Sequence, residues 1–343
     1  MREAVKNPFL NERERRLRAF WRLLLQYVLY INGTVVLAGV FGLASLAIFE
    51  STGLGEDPAG MLASSPTFQT TSYVAASLVA AVVGVWLAGR LFDRRPFFSF
   101  GLRLDWVWWL EFCFGLALGA LLMTAIFFVE LAAGWVTVTG TFETVGNGSP
   151  FALAILLPLV VFVCVGFYEE LLSRGYQLQN TAEGFNFPSL GPRGAILLAW
   201  LLSSALFGLL HFANPNASLI STLSITFAGL LLGTGYVLTG RLAIPIGLHI
   251  TWNFFQGNVF GFPVSGLEPL GATFVSIEQG GPSLFTGGAF GPEAGLLDPI
   301  ATIVGSLLIW LWVRSRSGSG SLELSIAEPP RGRAEEAKTS SEV

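Results

Sequence analysis

Long apolar runs alternate with short polar stretches along the chain, and the runs predict its elements. They lie at about 23–49, 70–90, 106–133, 151–173, 195–212, 218–239, 242–262 and 298–313. A bilayer core of about 30 Å takes roughly 20 apolar residues of helix. Each run therefore reads as a transmembrane helix, the fifth and eighth being the shortest. The expected fold is all-α, a polytopic membrane helix bundle of about eight transmembrane helices over 23–314. A basic cytoplasmic arm at 1–22 precedes it, and a tail at 315–343, polar and rich in Gly and Ser, reads as disordered. The first run is too long for the apolar centre of a signal peptide and has no clear cleavage site after it, so it is expected to stay as a helix.

Composition strengthens the membrane reading. Of the 343 residues, 52% are hydrophobic and 12% charged, and Phe occurs 29 times. Mean hydropathy is +0.63. A water-facing surface needs more charge than this. The net charge of −4 argues against a generally basic nucleic-acid binder. The two cysteines, Cys113 and Cys164, sit inside apolar runs and read as small buried hydrophobes, which excludes a disulfide scaffold.

The basic residues orient the bundle. All 19 Lys and Arg residues fall in the N-terminal arm, in the second, fourth and sixth loops, or in the tail. Cytoplasmic loops collect Lys and Arg, so both termini are expected in the cytoplasm, with the plasma (inner) membrane as the location. The stretch at about 263–297, with Glu268, Glu278 and Glu293 among many Gly and Pro, is expected as a long irregular external loop, partly packed on the bundle. Glycines such as Gly115 and Gly119 read as helix contacts. Glu111 and Glu130 bracket the third run and read as helix-end residues reaching headgroups.

Ionisable groups within a membrane are costly and mark function. Both histidines, His211 and His249, lie in apolar runs, and the adjacent pair Glu169 and Glu170 closes the fourth. Glu170 and Arg174 are spaced i,i+4 and can pair on one helix face. Glu169 is turned about 100° from Glu170. Phe207 lies one turn before His211, and Asn253 one turn after His249. A carboxylate and an imidazole can share a water. A second imidazole and an amide can stabilise a developing oxyanion. Together they suit hydrolysis of a carbonyl compound. With these boundaries Glu169 falls near the cytoplasmic end of its helix while His211 falls deep in the next, an unresolved mismatch.

Glu169-Glu170-xxx-Arg174, Phe207-xxx-His211 and His249-xxx-Asn253, in this order, resemble the three signatures of the CPBP family of intramembrane proteases. That family includes type II CAAX prenyl endopeptidases and bacteriocin-processing and immunity proteins. The resemblance covers about 150–260 closely. It implies an endopeptidase in which Glu169 activates water, His211 holds it, and His249 with Asn253 forms the oxyanion hole. Glu170, Arg174 and Phe207 would support the site. It implies no required cofactor. Zinc remains possible, with Glu169, His211 and His249 as its ligands, although no HExxH motif is present. The implied partners are membrane lipids and a membrane-associated protein or peptide substrate, a prenylated CAAX-type one among the options, with no nucleic acid. Two other readings use the same residues: a proton- or ion-coupled transporter, whose inverted repeats are not visible here, and an idle scaffold presenting the long loop.

Overall fold

The computed structural model describes residues 7–12, 14–52, 57–144 and 150–330. Arg2, Lys6, Arg13, Glu56 and the tail beyond residue 330 lie outside the described residues.

Among the described residues, seven helices are long and apolar enough to cross a membrane. These are α1 (Ala19–Ser51), α2 (Pro66–Asp93), α3 (Trp106–Ala132), α4 (Phe151–Phe185), α5 (Gly191–Ala213), α6 (Leu219–Thr239) and, after a shorter α7, α8 (Leu297–Ser317). Local chemistry sets their starts. The Ser65 hydroxyl accepts from the Phe68 amide and Pro66 occupies the first turn of α2. Asp105 caps α3 through the Trp108 amide. Ser218 and Ser221 form a reciprocal capping box on α6. Each cap satisfies a helix-end donor that has no intrahelical partner.

The run at 242–262 departs from expectation. It forms α7 (Ala243–Phe254), 12 residues long, followed by a five-residue π-helix, Phe255–Val259. The reason is its position: Ala243 to Ile250, Trp252 and Asn253 are all buried by other protein, so lipid thickness does not set its length. It still joins the same two ends as α3 and runs parallel to it. The Leu242 amide donates to the Gly101 carbonyl just before α3, and the Phe260 ring stacks on Phe127 near the end of α3, centroids 4.2 Å apart. The contact is close because Gly115 and Gly119 have no side chain; a Cβ on either would lie 2.4 Å from the carbonyl oxygen of Ile244 or Leu248. These two glycines act as expected, by letting helices touch.

Helix α4 continues well past 173. A turn at Ile155 interrupts it, and Leu171–Leu178 are wound as π-helix before α-helix resumes at Gln179. All eight π-helical residues are buried. The polar stretch Ser173 to Asn180 reads as a loop in sequence, yet its groups find partners inside the bundle. Tyr176 donates to Asp93 (2.7 Å), and the Gln177 amide oxygen accepts from Tyr27 (3.0 Å).

Two small antiparallel pairs accompany the helices. β1 (Leu10–Asn11) pairs with β2 (Arg16–Leu17) in the N-terminal arm. β3 (Val136–Thr144), after α3, pairs with β4 (Ala272–Gln279) across a bulge between Val138 and Gly140. The all-α class stands, and the strands are surface additions at the two ends.

Three expectations need correction. The tail is ordered as far as residue 330. Beyond Ser317 it folds back, with Glu323 N–H on the Val237 carbonyl (2.9 Å), Asn186 Nδ2 on the Ala327 carbonyl (2.9 Å), and Ile326 and Ala327 buried. Four apolar residues at 322, 324, 326 and 327 give this stretch a face to bury. Glu111 and Glu130 do not reach headgroups: both are buried, and Glu130 accepts from Gln279 of β4 (3.0 Å). The cysteines are not core residues either, since Cys113 is exposed and Cys164 half-buried; both are free thiols.

At the end of the bundle that holds the N-terminal arm, Glu183 gathers three arginines. Its carboxylate pairs with Arg16 (2.7 Å) and accepts from Arg22 (3.1 Å) and Arg95, and Arg22 also reaches Asp93 (2.6 Å).

Candidate active site

The extension of α4 removes the mismatch in depth. Glu169 is the nineteenth residue of a 35-residue span. At about 1.5 Å per residue it sits roughly 25 Å from either end, in the middle. Helix α5 is α-helical over 20 residues, Gly191–Leu210, so His211 sits about 30 Å along it, in a 3-10 turn (His211–Ala213) that closes the helix. The error in the sequence reading was the boundary of the fourth helix.

Helices α4, α5 and α7 bring the seven residues together around a cavity of about 530 Å³. Glu169, Phe207, His211, His249 and Asn253 line it. Glu170 and Arg174 lie behind this wall, 0% and 1% exposed. Successive helix positions point in different directions, so adjacent carboxylates face different environments.

Glu170 is the hub of the buried layer. Its Oε1 accepts from Arg174 Nη1 (2.8 Å) and from His249 Nδ1 (2.8 Å). Arg174 Nη2 donates to the Gly229 carbonyl of α6 (3.0 Å), and its guanidinium lies 4.5 Å from the centroid of Phe207. Phe207 in turn packs on His211, centroids 4.7 Å apart, and stands edge-on to His249 at 6.1 Å. One arginine thus ties together a carboxylate, a helix backbone and the ring that supports both histidines.

The two imidazoles have their Nδ1 atoms engaged. His249 Nδ1–H points at Glu170, and His211 Nδ1 is 2.8 Å from the Phe207 carbonyl, to which only an N–H can donate. With Nδ1 protonated, each neutral ring presents Nε2 as an acceptor; Nε2 donates only when the ring carries both protons. Glu169 Oε1 accepts from Tyr168 (3.3 Å), and Oε2 is buried without a hydrogen-bond partner, 3.9 Å from His249 Nε2. A buried carboxylate oxygen without a partner is costly and is suited to a water in the cavity.

Among the described residues, no group of three His, Cys, Asp or Glu side chains converges as a metal-ligand set. Glu169, His211 and His249 line one cavity, but their donor atoms do not close on a common point in this arrangement, so no step below is routed through a metal.

Sequence reasoning missed several cavity residues. Tyr30 and Tyr73 from α1 and α2 line it, as does Asn214, whose amide donates to the Ser265 carbonyl (3.1 Å). Glu293 lines it too, from the loop before α8. The tyrosines give no spacing signal. Glu293 stands in Gly-Pro-Glu-Ala-Gly-Leu-Leu, a carboxylate among small and apolar residues, which is a detectable sign of burial.

The fold and this set of ionisable residues define a polytopic helical membrane protein with a cavity between its helices, largely apolar but bearing these few polar side chains. Residues 151–255 match the model of the type II CAAX prenyl endopeptidase, Rce1-like family. That segment carries all three motifs, so the family resemblance read from them is borne out. A protein of Bacillus subtilis (strain 168), described as uncharacterized protein YyaK, is 27% identical over 212 residues, 57% of this chain and 67% of that relative. No solved structure matches the chain.

Proposed function

We propose that the protein is an intramembrane endopeptidase that hydrolyses a peptide bond in a membrane-associated protein or peptide by glutamate-activated water. The observation that carries the reading is Glu169 Oε2, a buried carboxylate oxygen without a hydrogen-bond partner, on the wall of a cavity shared with both histidines. The match of 151–255 to a CAAX-type endopeptidase family supports the same chemistry.

In this mechanism Glu169 takes a proton from a water that His211 Nε2 helps to hold, and the oxygen attacks the carbonyl carbon. Asn253 and His249 face the oxyanion that forms. Because His249 Nδ1–H is committed to Glu170, Nε2 donates to the oxyanion only from the doubly protonated ring, and the Glu170 carboxylate at 2.8 Å supports that charge. Glu170 and Arg174 position His249 without touching substrate. The substrate class is a membrane-associated chain, a CAAX-type prenylated tail being the family's own example. The one-sided distribution of Lys and Arg supports cytoplasmic termini, and the plasma (inner) membrane is the location we propose.

The test uses purified protein in detergent with an internally quenched, farnesylated CAAX-type peptide, and peptides released from membranes with and without the protein as the wider screen. Glu169→Gln is expected to abolish cleavage with the melting temperature retained, because an amide takes no proton from water. Asn253→Ala is expected to lower kcat by about 10²–10³ with a smaller change in KM. Activity is expected to survive chelator washing. Stoichiometric zinc that tracks activity and is lost in His211→Ala would move Glu169 and the histidines to metal ligation. Substrate-driven ion flux in sealed vesicles without cleavage would favour a transporter instead.

A further inference from the structure

The cavity holds a second carboxylate that the mechanism above does not use. Glu293 comes from a one-turn 3-10 helix, Pro292–Ala294, outside the segment that matches the family. It is 3% exposed, lines the same cavity as Glu169, His211, His249 and Asn253, and accepts from the Ser265 amide.

The loop is built to hold it there. Gly291 has φ 106°, and a Cβ on it would lie 2.2 Å from the Pro263 carbonyl oxygen, so only glycine fits. That carbonyl also accepts from Gln256 Nε2 (2.6 Å), and the Gly266 amide donates to the Phe290 carbonyl (2.8 Å). The two arms of the loop, 263–267 and 287–294, are thereby closed on each other beside the cavity, which Val264, Ser265, Leu267 and Glu293 line.

Endopeptidase chemistry requires a further proton transfer. When the tetrahedral intermediate collapses, the leaving nitrogen must gain a proton, because an amide anion is too basic to depart. Glu169 has just taken a proton but also borders the attacking oxygen. Resting on the endopeptidase reading, we propose that Glu293 is the acid that protonates the leaving amine, which makes it a further catalytic residue of this cavity.

The steps balance. The water oxygen bonds to the carbonyl carbon and one water proton passes to Glu169. The C–N bond then breaks, its electron pair stays on nitrogen, and the Glu293 proton moves to that nitrogen. The products are an acid and an amine. Glu169 is left protonated and Glu293 ionised, and transfer of one proton between them through cavity water restores both. The division of labour has a physical basis. Burial pushes the Glu293 carboxyl up from its ordinary value, the hydrogen bonds from Ser265 and the charges of His211 and His249 opposing this. That direction favours the protonated carboxyl that an acid needs.

The test is leaving-group dependence. Wild-type protein, Glu169→Gln, Glu293→Gln and Glu293→Asp are compared in detergent on two probes. One is the farnesylated quenched peptide cut at an amide. The other is the same acyl portion as a nitrophenyl ester, whose leaving group departs without a proton. Glu293→Gln keeps an acceptor for the Ser265 amide and is expected to lower kcat on the amide at least 30-fold with KM within threefold, while ester turnover stays within threefold. Glu293→Asp, which retains the acid, is expected to recover at least a third of the lost amide rate. Equal losses on both probes, or no loss on the amide, overturn the role of Glu293 alone. A wild-type protein that cleaves neither probe overturns the endopeptidase reading and this role with it. If Glu293→Gln does not fold, Glu293→Asp decides: an amide loss larger than the ester loss supports the acid, and equal losses overturn it.

Discussion

Replacing Arg174 by methionine is the sharpest test of the buried layer. Arg174 and Glu170 are 1% and 0% exposed and 2.8 Å apart. At an effective dielectric of about 20, charges at that distance attract by roughly 6 kcal/mol. Desolvating both groups consumes much of this, so the pair contributes little net stability as a pair. Losing one partner is different, because Glu170 then keeps its burial and loses its main counter-charge. Breaking a buried pair typically costs about 3–5 kcal/mol. Arg174→Met also removes the hydrogen bond to Gly229 and the cation over Phe207, the latter worth about 2 kcal/mol when desolvated. A loss of about 4 kcal/mol corresponds to a drop of roughly 6 °C in melting temperature for a chain of this size. The second arm is Arg174→Met with Glu170→Gln, which removes both charges and is expected to recover at least half of the loss. Arg174→Lys, which keeps charge but not the two-pronged geometry, is expected to fall between. Thermal unfolding in one detergent, followed by tryptophan fluorescence, reads the wild type, these three variants and Glu170→Gln alone. If the double variant is as unstable as the two single losses added together, the charges are not coupled and the account of Glu170 as hub fails.

The folded-back segment after α8 is expected to matter for stability. Ile326→Ala should cost about 2–5 kcal/mol, and truncation after Gly318 should lower the melting temperature further; an unchanged melting temperature in both would show that the segment does not dock in solution. The loop before α8 is expected outside the cell. A cysteine replacing the exposed Glu268, with Cys113 and Cys164 changed to serine, should react with an impermeant maleimide on intact cells, and labelling only after permeabilisation would reverse the topology.

The residues of the motif-bearing segment were legible because water-loving groups are rare in apolar runs. Two histidines and one Glu-Glu pair stand out there at helical spacings, and the cavity gathers them. Depth was not legible. A polar stretch such as Ser-Arg-Gly-Tyr-Gln-Leu-Gln-Asn looks like a loop unless its partners are known, and those partners, Asp93 and Tyr27, lie far away in sequence. The same limit hid the burial of Glu130, one oxygen of which accepts from a strand some 150 residues later, and the docking of the tail. Hydropathy reads the contact of a segment with lipid. It cannot read contact between segments, which is why α7, enclosed by protein, was drawn as an ordinary spanning helix. Glu293 escaped for another reason: glycine and proline normally signal an open loop, and here they allow the backbone to close tightly.

The knot at Glu183 bears on how the chain is made. Arg16 and Arg22 leave the ribosome about 160 residues before the carboxylate that neutralises them, and Arg95 nearly 90 residues before it. Throughout that interval the arginines lack this carboxylate, Arg22 having only Asp93 within reach once the second loop is made, and such charge is expected to hold the arm and that loop on the cytoplasmic side. Once α4 is complete, its final turn carries in the negative charge that gathers them. On that expectation the same arginines act first as an address for insertion and then as a clasp, and the order of synthesis keeps the two roles apart.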